Sequence, residues 1–216
     1  ASAAMAQDMA QEKLELSLPL VCEPHKTCFI QNYFDLDPGP GVRDYACGAA
    51  GYEKHTGVDF RLISAEAAKS GVPVIASADG TVKGLRDGVQ DIFIRDATSD
   101  LKGRDCGNGV VLDHGNGWET QYCHLLMGSV AVSKGQTVKR GDKLGNVGYS
   151  GMADFAHVHL TVRRNGEALD PFLPDAKDGA CQRDSKSTGL WQPAGIEPFG
   201  YRSGEIIASG FTGTAP

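Results

Sequence analysis

A strand-like run with two histidines, residues 156–162, constrains this chain more than any other stretch. It reads Ala-His-Val-His-Leu-Thr-Val, and its β-branched and apolar residues favour a β-strand. Because side chains alternate across a strand, His157 and His159 share one face, and the apolar residues between and after them occupy the other. Such a pair can bind one metal ion together, or one histidine can bind while the other handles protons. The alternative for this pattern alone is a surface strand whose histidines are only solvated.

A histidine and an aspartate separated by three residues form a second candidate site upstream. Helical geometry would place His55 and Asp59 on one face, but Thr56, Gly57 and Val58 are poor helix formers. We therefore place His55 in a tight loop that leads into a strand at Val58, with Gly57 allowing the turn. A neutral imidazole and a carboxylate suit a divalent metal, zinc in particular. An ordinary hydrogen-bonded pair is the alternative for this motif taken alone.

Two glycine turns between these motifs predict β-hairpins. Residues 72–82 run into Asp79-Gly80, a pair preferred in tight type I′ turns. Residues 110–124 turn in the same way at Asn116-Gly117 and return towards a further histidine, His124. We interpret the first hairpin as scaffold and the second as the support of His124.

The second turn also predicts a register for its hairpin. A plain two-residue turn pairs Val111 with Tyr122. Tyr122 and His124 then share one face of the strand, and Cys123 points away from both. Cys123 and His124 are therefore not expected to serve one site. His114 lies at the end of the hairpin and is interpreted as a turn residue rather than a ligand.

Composition and charge exclude several classes of function. The 216 residues carry 21 basic and 27 acidic side chains, a formal net charge of −6, without a long basic run. This argues against nucleic acid or an anionic membrane surface as the main partner. No uninterrupted apolar segment approaches the ~18 residues that cross a bilayer, so we expect no membrane span in the chain. A hydrophobic fraction of 41% suffices for one globular core.

The cysteines and the first residues indicate export. Six cysteines without a Cys-x-x-Cys pair fit a disulfide framework better than a zinc knuckle, which favours an oxidising compartment. Ala4-Met5-Ala6 has the small-x-small pattern of the end of a signal peptide, although an expression scar explains it equally well. We therefore expect an exported protein, periplasmic or extracellular.

The cysteine positions predict three bridges. Close spacing favours one local bridge, and the outward face of Cys123, with glycines that let the chain bend back after Cys106, favours a second. The remaining pair would join both extensions to the core. The predicted pairs are Cys22–Cys28, Cys106–Cys123 and Cys47–Cys181.

The chain divides into a central domain and irregular ends. The first segment allows a short helix through residues 9–16, and Trp191 in the last segment is interpreted as a packing anchor. The predicted divisions are an N-terminal tail at 1–20, an irregular segment at 21–54, a central domain that carries the histidine motifs at 55–174 and a C-terminal extension at 175–216.

One segment suggests a function of a different class. Residues 134–145 contain a Gly-Asp-x-Leu-Gly turn similar to those of biotinyl and lipoyl carrier domains. A carrier-like or cell-wall-binding β-sandwich module without catalysis is therefore an alternative. Carrier modules present a modifiable lysine at an exposed hairpin tip within a short signature, and the sequence contains no such signature.

Three motifs in order along residues 55–173 resemble those of the lysostaphin and LytM type of zinc metallo-endopeptidases. The motifs are His55-Thr56-Gly57-Val58-Asp59, Tyr122-Cys123-His124-Leu125, and Gly148-Tyr149-Ser150-Gly151 leading to His157-Val158-His159. The resemblance implies a mainly β fold, an antiparallel β-sheet or β-sandwich catalytic domain, here with irregular disulfide-tied N- and C-terminal extensions.

The resemblance also implies the roles of the five site residues. His55, Asp59 and His159 fall on the family's metal ligands and would hold one Zn²⁺ per chain. His124 and His157 fall on its two catalytic histidines, which do not bind the metal. Such a ligand set lowers the pKa of a bound water to ~7. A two-histidine, one-carboxylate iron oxygenase uses similar ligands, but the additional histidine pair favours hydrolysis.

The implied partners are the stem or bridge peptides of bacterial peptidoglycan. Family members cut either glycine-rich bridges or bonds between D-alanine and a diamino acid, and the sequence does not choose between them. It departs from the family pattern at residues 152–156, which replace a glycine-rich approach, and at Leu160-Thr161, which replace Phe-Glu. We expect these changes to touch the wall of the cleft.

The segment before the first motif suggests a form of latency. Residues 31–41 contain prolines and glycines that prevent regular structure, so we expect them to wrap across a surface. One hypothesis is that they lie over the cleft, where Asn32 or Asp35 could occupy the open zinc position. The alternative is a strap packed away from the site.

Overall fold

The computed structural model describes residues 13–97, 101, 103–182 and 188–204. Within them the chain forms ten strands, every strand pair antiparallel, and only short helices, which confirms the predicted mainly β fold. No helix among the described residues is long and apolar enough to cross a membrane. The elements are β1 Cys28–Asn32, β2 Val58–Leu62, α1 Ala65–Lys69, β3 Pro73–Ile75, β4 Gly80–Arg86, β5 Asn108–Gly115, β6 Trp118–Leu125, β7 Thr137–Val138, β8 Lys143–Asn146, β9 His157–Arg164, β10 Glu167–Leu169 and α2 Pro193–Ile196, with 3₁₀ turns at Ile94–Asp96 and Glu197–Phe199.

The main sheet places the strands of all three motifs side by side. Its order is β1-β2-β9-β6-β5-β4-β7, with β10 also paired to β9, so β9 lies between β2 and β6. Asp59 on β2 and Cys123 on β6 both stand opposite His159. Opposed residues of neighbouring strands share a face of the sheet. Segments separated by up to 100 residues in sequence therefore converge on one surface.

The other face of these strands forms the core. Val158 and Leu160 on β9 and Val58 and Phe60 on β2 are fully buried, as the alternation predicts for β9. They belong to one buried cluster that also includes Val74 and Leu144 of the separate β3–β8 sheet. The core thus holds β2 and β9 rigidly, and their opposite faces remain available for polar side chains.

Both ends of the described chain join this core. Leu16 is fully buried and pairs with Trp191 in a short β-bridge. The predicted helix is therefore wrong for residues 13–16, and residues 9–12 lie outside the described part. Trp191 is also buried and packs against Phe60 and Phe172, which confirms the packing anchor. Leu16 pairs instead with Trp191, 175 residues away, and local sequence patterns cannot predict such a contact.

The first predicted hairpin is wrong. β3 pairs with β8 in a small sheet, and β4 pairs with β5 and β7 in the main sheet, so the chain between β3 and β4 crosses from one sheet to the other. Neither Asp79 nor Gly80 has the positive φ of a type I′ turn. Asp79 instead accepts hydrogen bonds from the backbone N–H of Arg140 and, at its carbonyl, from the ring of His114. These distant partners fix the crossing.

The second hairpin is confirmed, but its register differs by one residue. Asn116 and Gly117 both have positive φ, 50° and 77°, as a type I′ turn requires. A bulge between Asp113 and Gly115 then leaves His114 as the extra residue, so Tyr122 pairs with Val110 rather than with Val111. The His114 ring bonds the carbonyl of Asp79 and the hydroxyl of Thr120, which accounts for the bulge and confirms a structural role.

All three predicted disulfides are present. They leave no free cysteine among the described residues. His25, in the loop of the first bridge, is half-buried, and its ring bonds the carbonyl of Phe199. The bridges are Cys22–Cys28, Cys47–Cys181 and Cys106–Cys123.

Asp170 is a buried carboxyl group whose ionisation affects stability. It is 1% exposed; one oxygen accepts the N–H of Phe172 at 2.8 Å, and Oδ2 has no partner among the described residues. Burial raises the pKa of Asp170 to about 7, although the Phe172 N–H acts in the opposite direction. An unfolded aspartate has a pKa of about 3.9. The folded protein therefore binds more protons between about pH 4 and 7.

We expect the free energy of unfolding to fall as the pH rises through this window, because the folded state must then ionise a buried group. Asp170→Asn keeps the acceptor for Phe172 but cannot ionise. It should raise the melting temperature by several degrees at pH 8 and change it little at pH 4.5. Thermal unfolding at both pH values measures this. Asp178→Asn, an exposed control, should not change the melting temperature at either pH. An equal change of melting temperature at both pH values for Asp170→Asn would contradict the raised pKa of Asp170.

Candidate metal centre

Three side chains meet at the cleft face of β2 and β9. Nε2 of His55, Oδ1 of Asp59 and Nδ1 of His159 form a triangle with edges of 3.2, 2.8 and 3.0 Å. His55 lies in the loop before β2, as predicted, and Asp59 and His159 face each other across the strand pair. His55 and Asp59 are buried, and His159 is half-buried. These three are the metal ligands that the resemblance implies.

The far side of each imidazole fixes which nitrogen faces the triangle. Nδ1 of His55 lies 2.7 Å from the carbonyl of Tyr33, which can only accept, so Nδ1 carries the proton and Nε2 presents a lone pair. Nε2 of His159 lies 2.9 Å from the hydroxyl of Thr161, which can accept a hydrogen bond from Nε2–H, so that Nδ1 keeps its lone pair. Asn32 donates to the other oxygen of Asp59 at 2.7 Å. Each ligand is thus oriented by a second residue.

The charges around Asp59 favour a cation at this point. Burial opposes ionisation, but the adjacent histidines outweigh it and hold the pKa of Asp59 well below its usual range. Burial also lowers the pKa of His55, and the hydrogen bond and charge of Asp59 overcome this, so the pKa of His55 is raised. A buried carboxylate among imidazole lone pairs is a poor arrangement without positive charge. Protons or a metal ion can supply that charge.

The dimensions and donor types of the triangle fit zinc. Zinc binds imidazole nitrogen and carboxylate oxygen at about 2.0–2.2 Å in tetrahedral geometry, which places ligand atoms roughly 3.3 Å apart. The observed separations of 2.8–3.2 Å lie close to this value. Three protein ligands leave one position of a tetrahedron open, the pattern of catalytic rather than structural zinc sites.

Gly57 permits the close approach of β9. A Cβ atom at this position would lie 2.5 Å from the carbonyl oxygen of Leu160 and 2.7 Å from the ring of His159. Its φ is not positive, so its role is close approach rather than the tight turn that we expected. Any larger residue would displace a ligand.

His124 reaches the cleft by a route that strand alternation does not predict. Cys123 shares the cleft face with His159, while Tyr122 shares the core face with Leu160 and is fully buried. Alternation would turn His124 towards the core with Tyr122. A positive φ of 62° at His124 reverses its direction, and its N–H bonds the carbonyl of Cys106. Our prediction that Cys123 and His124 face opposite ways is therefore wrong, and the backbone conformation is the reason.

His124 and His157 form a pair beside the triangle. Their ring centroids are 4.5 Å apart, and Nε2 of His157 lies 3.6 Å from Oδ1 of Asp59. Each Nδ1 lies 2.8 Å from a backbone carbonyl, that of Ser150 for His124 and that of Phe155 for His157. Nδ1 therefore carries the proton in both, and each Nε2 is left as the reactive atom.

Both histidines of the pair are held neutral. Burial, followed by the neighbouring rings of His157 and His159, keeps the pKa of His124 well below its usual range. Burial likewise lowers the pKa of His157, although Asp59 acts against it. A neutral imidazole with a free Nε2 is ready to accept a proton at neutral pH.

The site opens into a cleft of about 230 Å³. His124, His159 and Thr161 line it, together with Tyr52, whose ring lies 4.5 Å from that of His55. Met152 also lines the cleft, so the departures at Met152 and Thr161 from the family pattern do touch its wall, as expected.

The segment before the first motif supports the site from behind. Asn32 lies in β1 and bonds Asp59 through the oxygen turned away from His159. The carboxylate of Asp35 is used by the backbone N–H groups of Asp37, Arg43 and Lys54. Asp35 is therefore part of a loop and not of the metal cluster, and Asn32 orients a ligand instead of replacing the water.

Sequence reasoning missed the residues that orient the ligands. Thr161 could have been found, since it follows His159 by two positions on the same face of β9. The carbonyl groups of Tyr33, Ser150 and Phe155 carry no sequence signal, because any residue supplies a carbonyl. Asn32 was considered only as a ligand.

The fold and the site define a mainly β protein in which two histidines and one aspartate form a candidate metal centre, flanked by two further histidines. A family model confirms the resemblance: residues 53–171 match Peptidase family M23. The chain belongs to this family.

Curated relatives agree with this assignment, and a solved structure shares the fold. The chain is 36% identical over 119 residues to the DD-carboxypeptidase/endopeptidase Mpg of Neisseria meningitidis, covering 54% of this chain and 22% of the relative. It is 33% identical over 126 residues to the peptidoglycan DD-endopeptidase ShyB of Vibrio cholerae, covering 57% and 24%. The chain thus spans about a quarter of the length of these relatives. A chain of the SpoIIQ–SpoIIIAH pore-forming complex shares the fold, with a TM-score of 0.51, 19% identity and coverage of 80% and 94%.

Proposed function

We propose that this chain is a zinc-dependent endopeptidase that hydrolyses peptide cross-links or bridges of bacterial peptidoglycan. The observation that carries the proposal is the convergence of three candidate ligand atoms and two neutral histidines beside an open cleft, which His124 and His159 line. His55, Asp59 and His159 would hold one Zn²⁺, and His124 and His157 would handle protons. The names of the relatives support peptidoglycan as the substrate.

Bound zinc would supply a Lewis acid and lower the pKa of a water molecule to ~7. The protein contributes position and proton transfer. Nε2 of His124 or His157 can take the proton of the attacking water, because both rings are neutral and their Nδ1 atoms are anchored to carbonyls. The same ring can then return the proton to the leaving amine. Protonated, it can also stabilise negative charge on the carbonyl oxygen.

No side-chain nucleophile is needed. The cysteines nearest the cleft, Cys106 and Cys123, are joined in a disulfide and cannot attack. Ser150 is fully buried, and its hydroxyl donates to the carbonyl of Leu125. Activated water is therefore the nucleophile that these residues favour.

We also propose the location and extent of the active unit. Residues 55–174 form the catalytic domain, the tail at 1–20 and segment 21–54 precede it, and residues 175–216 follow as an extension. Three disulfides and a substrate outside the cytoplasm support export to the periplasm or the extracellular space.

Digestion of purified peptidoglycan tests the proposal. We expect new peptide termini in the mass spectra of the fragments, about one zinc per chain by elemental analysis, and loss of cleavage with a chelator that is restored by zinc. Intact peptidoglycan after incubation with zinc-loaded protein would contradict the proposal. Stoichiometric iron and a requirement for oxygen would replace it with an oxygenase.

A further inference from the structure

The cleft contains an arginine, Arg163, that makes no ion pair with any acidic side chain of the described residues. Arg163 lies on β9, two residues after Thr161 and four after His159, and alternation places all three on the cleft face. Its side chain is half-buried. Among the described residues the side chain makes one hydrogen bond, donated from Nη2 to the side-chain oxygen of Gln121 at 2.6 Å. A guanidinium has five N–H donors, so most of them remain available to a ligand.

The acidic residues nearest to Arg163 do not neutralise it. Glu119 stands opposite Arg163 on β6, but its carboxylate pairs with Lys83. Asp105 also lines the cleft, and among the described residues neither acid makes an ion pair with Arg163. A partly desolvated cation without a counter-charge is costly unless a ligand supplies one.

Two nearby arginines, Arg61 and Arg164, have packing partners that Arg163 lacks. Arg61 bonds the side chain of Gln31 and the carbonyl of Leu62, and it covers the ring of Phe155. Arg164, the next residue along β9, lies over the ring of Trp118 on the opposite face of the strand. Both serve the packing of the protein. Arg163 differs because it faces the cleft and is held in place by a single neutral partner.

Gln121 gives Arg163 a fixed position. Its carbonyl oxygen accepts from the guanidinium, and its amide nitrogen lies 3.2 Å from Sγ of Cys106 in the disulfide of the cleft wall. The cleft is small, about 230 Å³. A group bound by Arg163 is therefore only a short stretch of peptide away from a group bound at the metal ligands.

We propose that Arg163 binds a carboxylate of the substrate, and that the chain cuts cross-links in which the residue at the cut bond carries a free carboxylate. This rests on the proposed function and narrows it. A diamino acid such as diaminopimelate, cross-linked through its second amine, has a carboxylate on the carbon that bears that amine. A glycine bridge has none. Arginine pairs with a carboxylate through two parallel hydrogen bonds, which gives both affinity and geometry.

Two matched peptides test the assignment. One is a D-alanyl-diaminopimelate cross-linked dimer with the free carboxylate beside the scissile amide, and the other has the same carboxylate amidated. The wild-type protein should cleave the first with a kcat/KM roughly 10- to 100-fold higher, as expected for a charge-assisted hydrogen bond. Arg163→Gln should remove this preference, mainly through KM, so that the two peptides are cleaved with similar kcat/KM.

Controls separate recognition from folding and from catalysis. Arg164→Gln changes the neighbouring charge on the opposite face and should keep the wild-type preference. Arg163→Lys keeps the positive charge but lacks the paired donors of the guanidinium. It should therefore retain part of the preference for the peptide with the free carboxylate. Zinc content and melting temperature of each variant show whether the centre is intact. If Arg163→Gln unfolds, Arg163→Lys provides the test: its ratio of kcat/KM for the two peptides should be lower than that of the wild type, and an unchanged ratio would overturn the role of Arg163.

The possible failures are distinguishable. A wild-type protein that cuts both peptides equally, or an Arg163→Gln variant with an unchanged preference, overturns the role of Arg163 and leaves the proposed function standing. A wild-type protein that cuts neither peptide and leaves peptidoglycan intact overturns both.

Discussion

His159→Ala is expected to lose both the metal and the activity. In the proposed site, His159 supplies one of the three candidate ligand atoms found among the described residues, and its Nδ1 lies 2.8 Å from Oδ1 of Asp59. Loss of an outer partner of a metal ligand commonly costs 10- to 100-fold in affinity, and loss of the ligand itself should cost more. We expect substoichiometric zinc after dialysis and turnover near the background rate. Elemental analysis and peptidoglycan cleavage on the same preparation measure both.

His114→Ala is the matched control for this experiment. His114 is the bulged residue of the β5–β6 hairpin and bonds Asp79 and Thr120 rather than the cluster. Its replacement should lower the melting temperature without changing zinc content or turnover at temperatures well below unfolding. A His159→Ala variant that binds one zinc as tightly as the wild type would show that His159 is not a ligand.

His124→Ala should have the opposite profile, with full metal content and little activity. Its ring lies 6.1 Å from that of His159 and contributes no atom to the ligand triangle. A positioned acid or base commonly contributes about 10²- to 10⁴-fold to rate, so kcat should fall by this amount while one zinc per chain remains. Elemental analysis of zinc measures the metal content, and single-turnover cleavage measures the rate of the chemical step.

His157→Ala tests the closest alternative ligand assignment. Nε2 of His157 lies 3.6 Å from Oδ1 of Asp59, only slightly farther than Nε2 of His55 at 3.2 Å. If the triangle is correct, His157→Ala keeps its zinc and loses turnover as His124→Ala does. If His157→Ala loses zinc and His159→Ala keeps it, the two roles are exchanged. Full turnover in His124→Ala would leave that residue as scaffold.

Local patterns predicted those parts of the site that depend on one strand or one turn. Alternation placed His157 and His159 together, and a loop before a strand placed His55 near Asp59. Close spacing predicted the local bridge between Cys22 and Cys28. These features depend on contacts between near neighbours or on a period of two, and both can be read from residue types.

Predictions that assumed a regular strand failed where a single backbone angle or an extra residue intervened. The bulge at His114 shifted the hairpin register, and the positive φ of His124 reversed the direction of its side chain. The predicted first hairpin failed because Asp79 has partners at Arg140 and His114, remote in sequence. Residue propensities do not contain these interactions, since each depends on where a distant segment packs.

The sequence by itself determined the residue types of the site and the order of its motifs, and through the family resemblance it indicated their roles. Only the tertiary structure decided how they are held. Backbone carbonyl groups set the protonation of His55, His124 and His157, the hydroxyl of Thr161 faces His159, and the amide of Asn32 lies behind Asp59. The structure also placed the guanidinium of Arg163 in the cleft without an ion-pair partner among the described residues. The physical reason is that donors, acceptors and charges act through distances of about 3 Å, and the strands that create these distances are paired across as many as 100 residues of sequence.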